Sequence, residues 1–122
     1  MDVLLVEDEA MIRQMLVEDL TDAGLDVCDA CNAEAALGAV GEADAPPCVI
    51  VTDVELGRGM NGLAFVAEAR RRWPGVGVVV MTGRPSNLSE RKSDAREICL
   101  LKPFGPPRLA AAIQDLMGRS NR

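Results

Sequence analysis

Short apolar runs that alternate with helical patterns constrain the fold of this chain more than any other feature. Four runs of strand length, at residues 3–6, 48–51, 76–81 and 98–101, are almost wholly apolar. Continuous apolar runs are typical of parallel strands that are covered on both faces. Residues 25–30 alternate more and predict a strand nearer an edge of the sheet. The sequence therefore predicts five strands.

Between these runs, apolar residues recur at helical spacing. Four apolar stripes mark predicted helices. The first helix has Ile12, Met15, Leu16 and Leu20, and the second has Ala36, Leu37 and Val40. The third has Leu63, Val66 and Ala69, and the fifth has Leu109, Ala112, Ile113 and Leu116. Gly24 is placed to end the first helix, Asn32 to cap the second, and Pro107 to lie in the first turn of the fifth. Residues 86–93 predict a short, polar fourth helix. Five strand–helix repeats indicate an α/β fold, a doubly wound three-layer sandwich around a parallel sheet.

The size and charge of the chain indicate how many domains it has and disfavour some classes of function. Its 122 residues predict one domain over 1–122. A net charge of −6 disfavours direct binding to nucleic acid, because an acidic surface repels phosphate backbones. No apolar stretch has the length of a membrane span, and no leader pattern opens the chain. These features predict a cytoplasmic protein without direct membrane contact.

The four cysteines include a C-x-x-C pair, Cys28 and Cys31. Such a pair can be a redox centre or half of a metal site. Here the pair lies in and just after a predicted strand instead of opening a helix, histidine is absent, and no second cysteine pair completes a zinc site. We interpret these thiols as free and as small core hydrophobes.

Polar side chains follow the predicted strands at their carboxyl ends, where open α/β sheets bind ligands. They are Glu7 and Asp8, Thr52 and Asp53, Thr82, and Lys102, with Gly83 after Thr82 and Pro103 after Lys102. Three carboxylates brought close together repel one another and favour a hard divalent cation, Mg²⁺ before zinc or copper. With that cation bound, one carboxylate can attack a phosphoryl group while an ammonium and a hydroxyl stabilise its oxygens.

Four segments resemble the receiver domains of bacterial response regulators, of the chemotaxis-regulator kind. They are Leu-Leu-Val-Glu-Asp-Glu at 4–9, Val-Thr-Asp at 51–53, Met-Thr-Gly at 81–83 and Leu-Lys-Pro-Phe at 101–104. The resemblance covers essentially the whole chain. It implies a flavodoxin-like sheet with strand order 2-1-3-4-5 and a role in two-component phosphorelay signalling. The phosphoryl donor would be a partner sensor histidine kinase, a phosphotransfer protein or a small phosphodonor.

The same resemblance implies a role for each site residue. Asp53 would be the phosphoacceptor. Asp8 would bind Mg²⁺ directly through its carboxylate, Glu7 would act mainly through water, and Glu55 would bind through its backbone carbonyl. Thr82 would be the switch hydroxyl that moves toward the phosphoryl group, Lys102 would pair with the charge of that group, and the peptide before Pro103 would be cis. Beyond this self-directed transfer and autodephosphorylation, no enzyme activity is expected.

Three departures from the family pattern concern signal output. Cys99 stands where an aromatic residue is common, so the switch is expected to use backbone movement or a damped motion of Cys99. The segment from Thr82 to Lys102 is shorter than usual, and the loop after Asp53 is longer, with Gly57 where proline is common. The family's output face, formed by the fourth helix, fifth strand and fifth helix, is therefore expected to bind its protein target unusually. A phosphorylation-linked homodimer is also compatible with the resemblance.

Glu55 and Arg84 are expected near the phosphoryl site, where they would tune the lifetime of the acyl phosphate. Glu55 would orient or repel an attacking water, or pair with Arg84. The glycines at 57, 59 and 62 fit neither a P-loop nor a dinucleotide motif, and we interpret them as a turn into the third helix.

Two other functions stay open at this point. One is a Mg²⁺ phosphohydrolase with an aspartyl-phosphate intermediate, although Glu55 stands where such enzymes usually carry a second aspartate. The other is a binding domain that does not depend on phosphorylation. The sequence is equally compatible with a stand-alone receiver and with a module of a larger regulator or hybrid kinase.

Overall fold

The computed structural model describes residues 1–41, 45–57, 59–85 and 96–120, which contain five strands and four helices. The strands are β1 Val3–Val6, β2 Val27–Ala30, β3 Val49–Asp53, β4 Gly77–Thr82 and β5 Glu97–Leu101. The helices are α1 Ala10–Asp22, α2 Ala33–Gly41, α3 Gly62–Arg72 and a C-terminal helix, Pro106–Ser120. The predicted fourth helix lies outside the described residues. None of the helices described combines the length and apolar character that crossing a membrane requires.

All five strands are parallel, in the order β2-β1-β3-β4-β5. In the central register, Val3 of β1 pairs with Val27 of β2 on one side and with Val49 of β3 on the other. Every residue of β1, β3 and β4 is buried, as the continuous apolar runs predict. Edge strand β2 is only partly buried, in agreement with its alternating sequence. The predicted flavodoxin-like fold is confirmed.

Successive residues of β1 point to opposite faces of the sheet and build two separate cores. Leu4 and Val6 belong to the core that lies under α2 and α3. Val3 and Leu5 belong to the core that lies under α1 and the C-terminal helix. Each face of the sheet is therefore covered by two described helices, which confirms the three-layer sandwich.

Local side-chain chemistry defines where the helices begin and end. Gly24, which follows the Ala23 cap of α1, has a φ of +88°, a conformation that glycine adopts at little cost. The Oδ1 of Asn32 accepts a hydrogen bond from the backbone N–H of Ala35 at 2.7 Å, as predicted for the cap of α2. The Oδ1 of Asn61 accepts one from the N–H of Ala64 at 2.8 Å and caps α3 in the same way.

The predicted core was wrong at some positions. Met15 and Leu63, which belong to the predicted apolar helical stripes, are 60% and 38% exposed. Helical spacing identifies one side of a helix but not how far the core extends across it. Among the cysteines, all free, Cys31 and Cys48 are exposed, so the interpretation as core hydrophobes was wrong for these two. Cys31 follows edge strand β2 and Cys48 precedes β3, so neither lies within a strand of the buried sheet. Cys28 and Cys99 are partly buried, as a core role requires.

The glycine that begins α3 is required by close packing. A Cβ at Gly62 would overlap the backbone carbonyl of Asp53, and the Gly62 N–H donates to the Val54 carbonyl at 3.0 Å. We expect Gly62→Ala to lower the free energy of unfolding by about 2–3 kcal/mol, because backbone atoms cannot move aside cheaply. Gly38→Ala, in the middle of α2 with open space at the new Cβ, is expected to raise it by about 1 kcal/mol. Urea unfolding of both variants tests the contrast, and equal stabilities would contradict it.

Candidate functional site

The carboxyl ends of four parallel strands bring together side chains that are far apart in the sequence. Glu7 and Asp8 follow β1, Asp53 ends β3, Thr82 ends β4, and Lys102 follows β5. All five line one cleft of about 210 Å³. The convergence predicted from the strand order is therefore present, and it places an ammonium and a hydroxyl beside a group of carboxylates.

The three carboxylates form a tight cluster. One carboxylate oxygen from each of Glu7, Asp8 and Asp53 lies within 4.8 Å of the other two. Glu7 is 1% exposed, and its Oε2 has no hydrogen-bond partner within the described parts of the chain. Leaving a buried carboxylate oxygen unsatisfied is costly, and like charges at this distance repel. The cluster therefore fits a hard cation such as Mg²⁺, which prefers oxygen ligands.

Lys102 and Asp53 form an ion pair across the cleft. Burial raises the pKa of Asp53 above its ordinary value, and the hydrogen bond and positive charge of Lys102 oppose that rise. The nearby charge of Glu55 adds to it. Without a cation, the lysine thus compensates only part of the cost of burying this carboxylate.

Backbone hydrogen bonds hold the end of β4 between its neighbours. The Val54 N–H donates to the Met81 carbonyl at 2.9 Å, and the Lys102 N–H donates to the Thr82 carbonyl at 2.7 Å. The Thr82 hydroxyl, on a residue only 4% exposed, accepts a hydrogen bond from the Arg84 N–H at 3.1 Å. Thr82 is thereby positioned at the cleft, on the strand between those that carry Asp53 and Lys102.

Glu55 lines the cleft and pairs with Arg84. The Nε of Arg84 lies 3.1 Å from the Oε1 of Glu55, so the pairing considered from the sequence is present. Both side chains are more than half exposed. Their effect on a phosphoryl group stays a prediction.

Cys99, at the position where the family commonly has an aromatic residue, lies beside a buried carboxylate. Its Sγ donates to the Oε2 of Glu97 at 3.6 Å. The other oxygen of Glu97 lies 2.9 Å from the Nη2 of Arg70 on α3, and the Glu97 side chain is only 3% exposed. This ion pair connects α3 directly to edge strand β5, next to the position where the usual aromatic switch would lie.

Sequence reasoning missed two side chains that support the site. Arg13 on α1 donates from Nη1 to the Glu7 carbonyl at 2.9 Å, and its Nε lies 3.2 Å from the Oδ2 of Asp29. Glu34 on α2 accepts from the Met60 N–H at 2.8 Å. Neither position follows a strand, so no pattern distinguishes them from ordinary helix-surface charges. The peptide between Lys102 and Pro103 is cis, as the resemblance implies.

Comparison with known proteins agrees with this geometry. Residues 3–114 match the family model described as response regulator receiver domain. The chain is 30% identical to the transcriptional regulatory protein AruR of Pseudomonas aeruginosa over 122 residues, which cover 96% of this chain and 49% of AruR. It is 28% identical to the sensor kinase CckA of Brucella abortus, with 98% of this chain and 13% of CckA covered.

One solved structure shares this fold over nearly the whole length of both chains. The crystal structure of a response regulator receiver protein from Sinorhizobium medicae superposes with a TM-score of 0.86 and 25% identity, and the match covers 98% of this chain and 95% of that one. By contrast, the chain spans about half the length of AruR and a small part of CckA. The family match covers most of the chain, and the chain belongs to the response regulator receiver domain family of two-component signalling.

Proposed function

We propose that this domain is a phosphorylation switch in which Asp53 accepts a phosphoryl group in a Mg²⁺-dependent reaction. The observation that carries the proposal is the position of Asp53, which lies within the carboxylate cluster of Glu7 and Asp8 and also pairs with the ammonium of Lys102. A buried carboxylate with both a cation site and a lysine beside it is arranged to receive an anionic group. Receiver domains generally bind Mg²⁺ at such an acidic pocket.

In the transfer step, an oxygen of the Asp53 carboxylate attacks the phosphorus of the donor. The new oxygen–phosphorus bond forms as the phosphorus–nitrogen bond of a phosphohistidine breaks, and the imidazole leaves with the electron pair of that bond. Lys102 then exchanges its pairing with the Asp53 carboxylate for an oxygen of the transferred group. The Thr82 hydroxyl donates a hydrogen bond to another oxygen.

The residues that would hold Mg²⁺ are Asp8 and Asp53 directly, Glu7 mainly through water, and the backbone carbonyl of Glu55. When bound, the cation supplies positive charge that stabilises the phosphoryl oxygens and screens the carboxylates from one another. The unpartnered Oε2 of Glu7 supports its role toward the ion or its water shell.

The signal leaves the site through the ends of β4 and β5. Thr82 is hydrogen-bonded through its carbonyl to the backbone of Lys102, so a shift of Thr82 toward the phosphoryl group also moves the end of β5. Cys99 lies on β5 and is too small to act as a rotating aromatic side chain, so we assign the output to backbone movement. The surface affected would be the predicted fourth helix, β5 and the C-terminal helix.

The family and the proposed output surface indicate which kinds of protein this domain would bind. A receiver domain implies interaction with a histidine kinase or a phosphotransfer protein. We propose that residues 1–122 act as one switch unit that receives phosphate from such a donor and binds a protein target, or a second copy of itself, through the output surface. The domain turns over no separate substrate in this scheme.

Incubation with Mg²⁺ and acetyl phosphate tests the proposal directly. The expected result is an intact-mass gain of one phosphate that is stable in acid and labile in base, absent with EDTA and absent in Asp53→Ala. Asp22→Ala, an exposed carboxylate on α1, is the matched control and should label like wild type. A gain that persists in Asp53→Ala would contradict the assignment. Continuous hydrolysis of phosphate esters would favour the phosphohydrolase instead.

The raised pKa of Asp53 predicts a pH-dependent gain in stability for Asp53→Asn in the Mg²⁺-free protein. Because the pKa of Asp53 is higher in the folded than in the unfolded protein, folding favours the protonated carboxyl. The stability that Asp53 contributes is therefore present at low pH and is lost as pH rises through the folded-state pKa. At pH 7 in EDTA, Asp53→Asn is therefore expected to have the higher melting temperature. The gain should vanish below the unfolded pKa of about 3.9 and shrink when Mg²⁺ stabilises wild type. A less stable Asp53→Asn at pH 7 would show that the Lys102 pair outweighs burial.

The pair of Glu55 and Arg84 is expected to slow loss of the phosphoryl group, because Glu55 lines the cleft and, held by Arg84, would hinder an attacking water. Replacing both residues with glutamine should speed dephosphorylation by about 3-fold, in keeping with the small energies of exposed ion pairs. The decay of the phosphorylated mass after removal of donor measures the rate, with Glu18→Gln as control. An unchanged rate in the double variant would remove these residues from the account.

A further inference from the structure

The loop between β3 and α3 determines what surrounds Asp53, yet its own sequence does little to hold it in place. Its described part includes Gly57 and Gly59, and Gly59 has a φ of +76°, in the left-handed region that favours glycine. It also carries the backbone of Glu55, which the proposed function places against the cation. Glycines give a loop more conformational freedom, which the loop loses when it takes one position. Contacts from outside the loop must therefore stabilise that position.

Two carboxylates from other elements supply such contacts. The Oδ2 of Asp8, after β1, accepts a hydrogen bond from the Gly57 N–H at 2.8 Å. The Oε1 of Glu34, in the first turn of α2, accepts one from the Met60 N–H at 2.8 Å. Asp8 therefore holds the first part of the loop and Glu34 holds the last part, directly before the Asn61 cap of α3.

The contact of Glu34 is close and charge-assisted. A Cβ at Gly59 would lie 2.7 Å from the Oε1 of Glu34, which shows how closely this carboxylate approaches the loop backbone. The hydrogen bond from the Met60 N–H lowers the pKa of Glu34, as expected for a bond that favours the ionised carboxylate. Hydrogen bonds to an ionised acceptor are roughly twice as strong as neutral ones.

We propose that Glu34 is a positioning residue for the cation and phosphoryl site, a role that rests on the function proposed above. Because one oxygen of Asp8 is hydrogen-bonded to the loop at Gly57, the orientation of the Asp8 carboxylate depends on where the loop lies. Glu34 holds that loop from α2, and so it sets the placement of Asp8 and of the Glu55 backbone without touching either. Glu34 thereby links the N-terminus of α2 to the cation site.

Three variants separate this role from a simple helix-stabilising one. Glu34→Ala removes the acceptor, Glu34→Gln keeps an oxygen that can accept from the Met60 N–H, and Glu18→Ala removes an exposed helical glutamate from α1 as the matched control. Calorimetry is expected to show Mg²⁺ binding about 5-fold weaker in Glu34→Ala, below the ~10–100-fold typical of residues that contact a metal ligand directly. Glu34→Gln should recover most of that affinity, and Glu18→Ala should match wild type.

The rate of phosphorylation by acetyl phosphate gives a second readout. With Glu34→Ala the rate is expected to fall at limiting Mg²⁺ and to return to the wild-type rate at saturating Mg²⁺. A role confined to helix stability would lower the melting temperature and leave the Mg²⁺ dependence unchanged, and that result would overturn the proposal.

Amide hydrogen exchange tests the contact independently of Mg²⁺ and phosphate. The Met60 amide is expected to exchange faster in Glu34→Ala than in Glu34→Gln, with the Val51 amide of buried β3 as the reference for global unfolding. If Met60 exchange and Mg²⁺ affinity both match wild type, Glu34 has no positioning role. If wild type itself binds no Mg²⁺, the proposed function fails and the positioning role fails with it, while faster Met60 exchange would still identify the loop contact.

Discussion

Mutual repulsion of Glu7, Asp8 and Asp53 is the interaction on which the rest of the site depends. Two unit charges 4.8 Å apart interact by about 3 kcal/mol at an effective dielectric constant of ~20, so the cluster resists being assembled. The sheet assembles it nonetheless, because β1 and β3 are wholly buried and pair in register up to the residues that carry the acids. The apolar core therefore holds together three carboxylates that repel one another, and a bound cation would relieve that repulsion.

The surroundings of the cluster divide into two parts with different tasks. On the side of β1 and α2, the contacts of Arg13, Asp8 and Glu34 fasten the loops that frame the cation site. On the side of β4 and β5, Thr82 and Lys102 are joined through the backbone, so a change at the phosphoryl position can travel along the strand ends. The first part positions the residues of the cation site, and the second part transmits a change at the phosphoryl position to the end of β5.

Much of this could be predicted from the sequence, and the exceptions have physical reasons. Continuous apolar runs identify buried parallel strands, and residues directly after such strands necessarily meet at one edge, so the positions of Asp53 and Lys102 followed from local patterns. Glu34 escaped notice because its partner, Met60, is 26 residues away and an acid in the first turn of a helix is common. Met15 shows the converse error: helical spacing identifies a stripe but not its width.

The central claim is that Asp53 itself carries the phosphoryl group, and chemical trapping tests it most directly. Borohydride reduces an acyl phosphate to the alcohol and leaves free carboxylates unchanged, so treatment of the phosphorylated protein converts the modified aspartate to homoserine. Peptide mass spectrometry is expected to find homoserine at position 53 and aspartate at position 8, dependent on both Mg²⁺ and phosphodonor. Homoserine at another position, or none at position 53 in a protein that has gained phosphate, would contradict the account.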